Sequence, residues 1–137
     1  MEFKPIQLSI TSNPENLRDI RETISDVTLK SGFSKEDCGG IILAVDEACS
    51  NVIKHCCKND PNKKINITIS HEKGCLTISI VDTGTKFDIS DIKSRDINEI
   101  RPGGLGTHII KQVMDTVEYS HTPEGLNQLR MTKKLNG

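Results

Sequence analysis

Apolar residues recur along the chain in two rhythms, at every second position in some stretches and at every third or fourth in others. Ile6, Leu8 and Ile10 alternate with polar neighbours, which predicts a strand over 3–11. Asn13-Pro14 offers an N-cap followed by proline at the first helical position. Leu17, Ile20, Ile24 and Val27 then recur at helical spacing, predicting a helix over about 14–30 with Gly32 just past its end. Ser34-Lys35-Glu36-Asp37 has capping-box spacing, and Ile41, Val45, Ala48 and Val52 predict a second helix running to about Cys56. Gly39-Gly40 interrupts it, at ~1 kcal/mol per glycine relative to alanine. Either this helix begins irregularly or another part of the chain approaches its backbone there.

Asn59-Asp60-Pro61-Asn62 reads as a loop. Clean alternation over 65–70 and 76–80 predicts two strands joined by a hairpin at His71-Glu72-Lys73-Gly74. Residues 83–104 are polar and broken by Gly84, Pro102, Gly103 and Gly104, yet carry Ile89, Ile92, Ile97 and Ile100. A flap with short helical pieces fits such a stretch. Leu105, Ile109, Val113 and Met114 predict a helix over about 105–116, and two strands follow near 117–121 and 126–135. The order is strand, two helices, hairpin, flap, helix, hairpin. This is an α+β arrangement: a two-layer sandwich with a mixed, mainly antiparallel sheet and helices on one face.

With 137 residues the chain holds one domain, 1–137. Its 18 basic and 19 acidic residues balance to −1, so nothing draws it to nucleic acid or to an anionic membrane. Aromatics are 3% of the chain, too few for the stacking platforms of a single-stranded nucleic-acid binder, and 18 isoleucines supply the core instead. No apolar run is long enough for a membrane helix, and the first residues lack the pattern of a signal peptide. Five cysteines without C-x-x-C spacing read as reduced thiols of a cytoplasmic protein. A zinc site at Cys49, His55 and Cys56 or Cys57 lacks the paired spacing that structural zinc uses.

Three places carry chemistry. Glu47 and Asn51 are spaced i, i+4, so they stand on one face of the second helix, with Lys54 and His55 one turn on. An Asn carbonyl oxygen suits a hard cation such as Mg²⁺. Asp82-Thr83-Gly84 ends a strand; a carboxylate there can accept a hydrogen bond from a ligand amine while the glycine permits close approach. Gly103-Gly104-Leu105-Gly106-Thr107 opens the last helix, where backbone N–H groups and the helix dipole favour phosphate. Taken singly, each is better explained in an ordinary way: a solvated helix face, an Asp-Gly turn, a glycine-rich connection.

Together, in this order and spacing, the three resemble the N, G1 and G2 boxes of the GHKL ATPase superfamily, which includes histidine-kinase ATP domains, gyrase B and MutL. The stretches AVDEACSNVIKH, VDTGTKFD and GGLGTHIIKQVMDTVEY are similar to the small anti-sigma-factor serine/threonine kinases of bacteria. The likeness spans nearly the whole chain. It implies a Bergerat-type ATP-binding fold, with Glu47 as general base and Asn51 as the Mg²⁺ ligand. It places Lys54 and His55 toward the phosphates, Asp82 on adenine with Gly84 beside the base, and Gly104, Leu105, Gly106 and Thr107 in the phosphate loop. Residues 85–103 would form the ATP lid. The implied activity is ATP-dependent phosphorylation of a STAS-domain anti-anti-sigma protein, combined with sequestration of a sigma factor by a homodimer. The alternative is an ATP-binding interaction module without phosphotransfer. Arg18 matches an arginine that contacts protein partners. Three departures stand out: Gly39-Gly40 interrupts a helix that relatives make smoothly, Thr107-His108 stands where relatives more often carry aliphatic residues, and Leu126 follows Gly125 where many relatives carry Thr.

Overall fold

The computed structural model describes residues 3–58, 60–84 and 105–135; of these, the side chains of Phe3, His55 and residues 105–108 are not described. The expected flap and Gly104 lie outside the described residues. The elements are β1 (Phe3–Thr11), a 3-10 turn (Pro14–Asn16), α1 (Leu17–Ser31), α2 (Lys35–Asn51), a π-helical turn (Val52–Cys56), β2 (Lys64–Glu72), β3 (Cys75–Asp82), α3 (Leu105–Val113), β4 (Thr116–His121) and β5 (Asn127–Lys134). The five strands form one sheet in the order β1-β2-β3-β5-β4, with every neighbouring pair antiparallel.

Local chemistry sets the boundaries. The Asn13 side chain accepts from the Glu15 amide at 3.0 Å, and Gly32 ends α1 in the left-handed conformation at φ 97°. The Ser34 hydroxyl accepts from the Asp37 amide at 3.1 Å and starts α2. Strands β2 and β3 meet in a two-residue turn, Lys73-Gly74, both with positive φ, so the hairpin is tighter than the 71–74 turn expected.

Alternation along the strands sorts the sheet into two faces. Ile65, Ile67 and Ile69 of β2, Leu76, Ile78 and Ile80 of β3, and Leu129 and Met131 of β5 are buried in one cluster with Ile20 and Ile24 of α1, Ile41 and Val45 of α2, and Ile110 of α3. Each such side chain contributes about 1.5–3 kcal/mol by leaving water. Asn66 and Arg130 alternate with these residues and are exposed. This is the two-layer α+β sandwich expected, with helices on one sheet face.

The glycine pair in α2 does not break the helix. Gly40 is the position of close approach, since a Cβ there would meet Val113 Cγ1 of α3 at 3.3 Å, while Gly39 faces open space. Two helices end earlier than their periodicity suggested. The α-helical path of α2 stops at Asn51, and the chain continues as the π-helical turn. Helix α3 stops at Val113 because the next residues are drawn to β5: the Asp115 amide donates to the Thr132 carbonyl at 2.8 Å, and Lys133 Nζ caps the Val113 carbonyl at 2.9 Å.

Candidate functional site

Helix α2 positions the first group of residues. Glu47 and Asn51 are half-buried, one turn apart, beside the buried Ala44, Val45 and Ala48. The neighbouring Asp46 is committed elsewhere, to an ion pair with Arg21 of α1 at 2.7 Å. Glu47 forms no ion pair with the described residues. Lys54 is exposed on the π-helical turn that follows Asn51. Such insertions widen the helix by one residue per turn and recur at functional sites. Here the insertion re-aims the chain immediately after the Asn51 carboxamide.

Strand β3 positions the second group. Asp82 is its last residue and is 2% exposed. The register places it between Ile65 of β2 and Asn127 of β5, and Asn127 in turn pairs with His121 of β4. Asp82 Oδ1 accepts from the Gly84 amide at 2.8 Å and from Asn127 Nδ2 at 3.0 Å. Both bonds fall on one oxygen, and Oδ2 makes none to the described residues. Burial pushes the Asp82 carboxyl above the ordinary carboxylate range, and the Asn127 and Gly84 donors pull it part of the way back.

The two groups meet at Gly84. A Cβ built there would lie 2.2 Å from the Cys56 carbonyl oxygen and 2.9 Å from the Cys57 amide nitrogen. The turn that carries Asp82 is therefore seated on the end of the helix that carries Glu47 and Asn51. The electrostatics report the same proximity: burial first, then the Asp82 charge and Cys57, push the Cys56 thiol up to about 12.

Leu105, Gly106 and Thr107 are the first three residues of α3, which packs on α2 through the Val113–Gly40 contact. Thus the Gly84 turn rests on the π-helical continuation of α2, and the last helix rests on α2 itself. Arg18 of α1 is exposed and pairs only loosely with Glu22, at 3.6 Å. Asn127 was not singled out by sequence reasoning. Its signal is its place at the start of the last strand, which becomes informative only once β5 is paired with β3.

The donor set fits a nucleotide-bound Mg²⁺ in one respect. Among the described residues no group of three or more His, Cys, Asp or Glu could hold a metal. A single carboxamide oxygen at Asn51 suits an ion that draws its remaining ligands from phosphate and water, as Mg²⁺ does. No helix among the described residues is long and apolar enough to cross a membrane.

Comparison with known proteins agrees with this geometry. The family model described as "Histidine kinase-like ATPase domain" matches residues 10–133. The chain is similar to serine-protein kinase RsbW of Bacillus cereus (strain G9842), 33% identical over 97% of this chain and 86% of that one. It is likewise similar to serine-protein kinase RsbW of Bacillus subtilis (strain 168), 30% identical over 96% of this chain and 86% of that one. Among solved structures it superposes on the RsbU and RsbW domains of a Mycobacterium tuberculosis protein with a TM-score of 0.70 at 16% identity, covering 97% of this chain and a third (33%) of that one. It also superposes on the catalytic domain of histidine kinase ThkA with a TM-score of 0.60 at 13% identity, covering 97% of both chains. At these identities the two superpositions speak for the fold. The chain belongs to the histidine kinase-like ATPase domain family, in company with the serine-protein kinases RsbW.

Proposed function

We propose that this protein is a cytoplasmic, ATP-dependent serine/threonine protein kinase that phosphorylates a STAS-domain antagonist and, as a homodimer, sequesters a sigma factor. The observation that carries the nucleotide part is the buried Asp82 carboxylate at the end of β3. It is fixed through Oδ1 by two N–H donors and seated on the end of the Glu47/Asn51 helix. Two similar proteins named serine-protein kinases support the kinase part.

In this reading Asp82 Oδ2 accepts a hydrogen bond from the adenine amine. Asn51 would hold Mg²⁺ through its carboxamide oxygen, and the ion would supply charge neutralisation at the phosphates. The N-terminal residues Leu105, Gly106 and Thr107, with Gly104 before them, bind phosphate through backbone N–H groups, and Lys54 and His55 supply cationic or donor groups nearby. Glu47 takes the proton of the substrate hydroxyl as its oxygen bonds to the γ-phosphorus. The bond from that phosphorus to the β,γ-bridging oxygen breaks, and ADP leaves. Positioning and electrostatics supply most of the acceleration in such a transfer. Residues 1–137 act as one domain, with 85–103 assigned to the ATP lid by likeness to relatives. A module that binds ATP without phosphotransfer is the competing reading.

Calorimetric titration with Mg-ATP and Mg-GTP tests the nucleotide part. Saturable, adenine-selective binding is expected, and no binding of either nucleotide overturns it. Purification from the native cell with mass spectrometry of the bound proteins tests the partners. A STAS-domain protein and a sigma factor are expected, and their absence overturns the switch.

A further inference from the structure

Asn127 is 1% exposed and opens β5 directly opposite Asp82. A buried amide of this kind destabilises the fold unless its polar atoms find partners. Its Nδ2 is spent on Asp82 Oδ1 at 3.0 Å, the same oxygen that takes the Gly84 amide at 2.8 Å. An ionised carboxylate only accepts, so the NH₂ end of Asn127 must face it. Two donors converging on one oxygen stop rotation of the carboxylate and leave the other oxygen as the acceptor. Leu126, one residue earlier, has no hydrogen-bonding side chain; the polar contact to Asp82 comes from Asn127 instead.

We propose that Asn127 is a positioning residue for base selection: it holds the Asp82 carboxylate turned so that Oδ2 meets a 6-amino purine and disfavours a 6-oxo purine. This rests on the reading of Asp82 as the base-recognising group. Among the described residues, the titratable groups facing Asp82 are two thiols and an imidazole. Cys56 and Cys57 lie on the helix end, both with thiols held neutral by burial, and His121 of β4 lies beyond Asn127 in the same row. The Asn127 bond favours the charged carboxylate, against the burial that disfavours it. Its removal therefore lets Asp82 take up a proton at a higher pH as the pH falls.

The test uses the full chain and the variants Asn127→Leu, Asn127→Ser and Asp82→Asn. Carbon NMR follows the Asp82 carboxyl against pH in the nucleotide-free wild type and Asn127 variants, and calorimetry gives the affinities for Mg-ATP and Mg-GTP. In Asn127→Leu the titration midpoint of Asp82 should rise, ATP affinity should fall about tenfold, and the preference for ATP over GTP should narrow. Asn127→Ser keeps a donor on a shorter stem and should recover part of each effect. If the Asn127→Leu variant does not fold, the serine variant still has to show a raised midpoint. An unmoved midpoint overturns the proposal whatever happens to ATP. A raised midpoint with unchanged affinity and selectivity, in a protein whose Asp82→Asn variant loses both, also overturns it while leaving the base-recognition reading intact. If Asp82→Asn itself leaves ATP binding unchanged, that reading falls and this one with it.

Discussion

Gly84 lies against the backbone of Cys56 so closely that a methyl group on it would sit 2.2 Å from the Cys56 carbonyl oxygen. Sequence reasoning gave this glycine a role beside a bound base; the structure adds a reason within the fold. Because the obstacle is backbone, no side-chain rotation relieves it. Gly84→Ala should cost about 1–3 kcal/mol of stability, the range for overpacking a close contact. Urea denaturation measures this, and a variant as stable as wild type would show that the contact gives way easily.

Asp82→Asn should weaken ATP binding by at least ~1.5 kcal/mol, because a charge-assisted hydrogen bond is lost: with its oxygen kept by Gly84 and Asn127, the new amide turns an NH₂ toward the adenine amine. Preference for ATP over GTP should fall as well. Unchanged affinity and unchanged preference in a calorimetric titration would remove Asp82 from the base site.

The same substitution should not destabilise the fold at neutral pH. Burial raises the Asp82 pKa in the folded state above its unfolded value. A carboxyl raised in this way weakens stability when ionised, above its folded pKa, and the loss is recovered as pH falls through that pKa. The amide oxygen that Asp82→Asn introduces can still accept from Gly84 and Asn127. The variant should therefore match or exceed wild type in urea denaturation at pH 8, with any advantage shrinking as the pH falls through the raised folded-state pKa of Asp82. A variant clearly weaker than wild type at pH 8 would contradict this.

Much of the fold was legible because most elements carry one rhythm each. The Ile65/Ile67/Ile69 and Leu76/Ile78/Ile80 alternations specify both a hairpin and its buried face. The end of α2 was not legible. Val52 and Ile53 are buried just as Ala48 and Cys49 are four residues earlier, so the apolar rhythm runs on across the change from α-helical to π-helical path and does not mark it. In the candidate site, Glu47 and Asn51 could be paired from i, i+4 spacing alone. The Asp82–Asn127 bond joins residues 45 positions apart and depends on β3 pairing with β5 rather than with β4, a choice made by tertiary packing. The Gly39-Gly40 pair reads as an irregular start or a close approach, but spacing does not name Val113 as the partner of Gly40.

Thiol chemistry offers a check on the packing between the two motif segments. Burial, with Asp46 adding, pushes the Cys49 thiol up to about 12, and burial with Asp82 and Cys57 does the same to Cys56. At pH 8 roughly one thiol in ten thousand is then a thiolate, the reactive form. Iodoacetamide should leave both unlabelled in the folded protein and label both in urea, read by peptide mass spectrometry. Rapid labelling of Cys56 in the folded state would mean that the helix end and the Asp82 turn are not packed as described.

Asn51→Ala should abolish Mg²⁺-dependent ATP binding, since it deletes the oxygen offered to a hard cation. Titration with and without Mg²⁺ separates this from general damage. Retained Mg²⁺-dependent binding would place the ion elsewhere.

Phosphotransfer to the cognate STAS-domain protein is the most direct test of the account. Wild type and Glu47→Gln are each mixed with γ-labelled ATP, Mg²⁺ and that protein, and the label on a serine or threonine is followed with time. Transfer by wild type is expected, with a roughly 10²–10⁴-fold slower rate in Glu47→Gln and nucleotide binding preserved, the usual contribution of a general base. Full ATP binding without any transfer by wild type would make the chain a binding module, and full activity in Glu47→Gln would place the base on another residue.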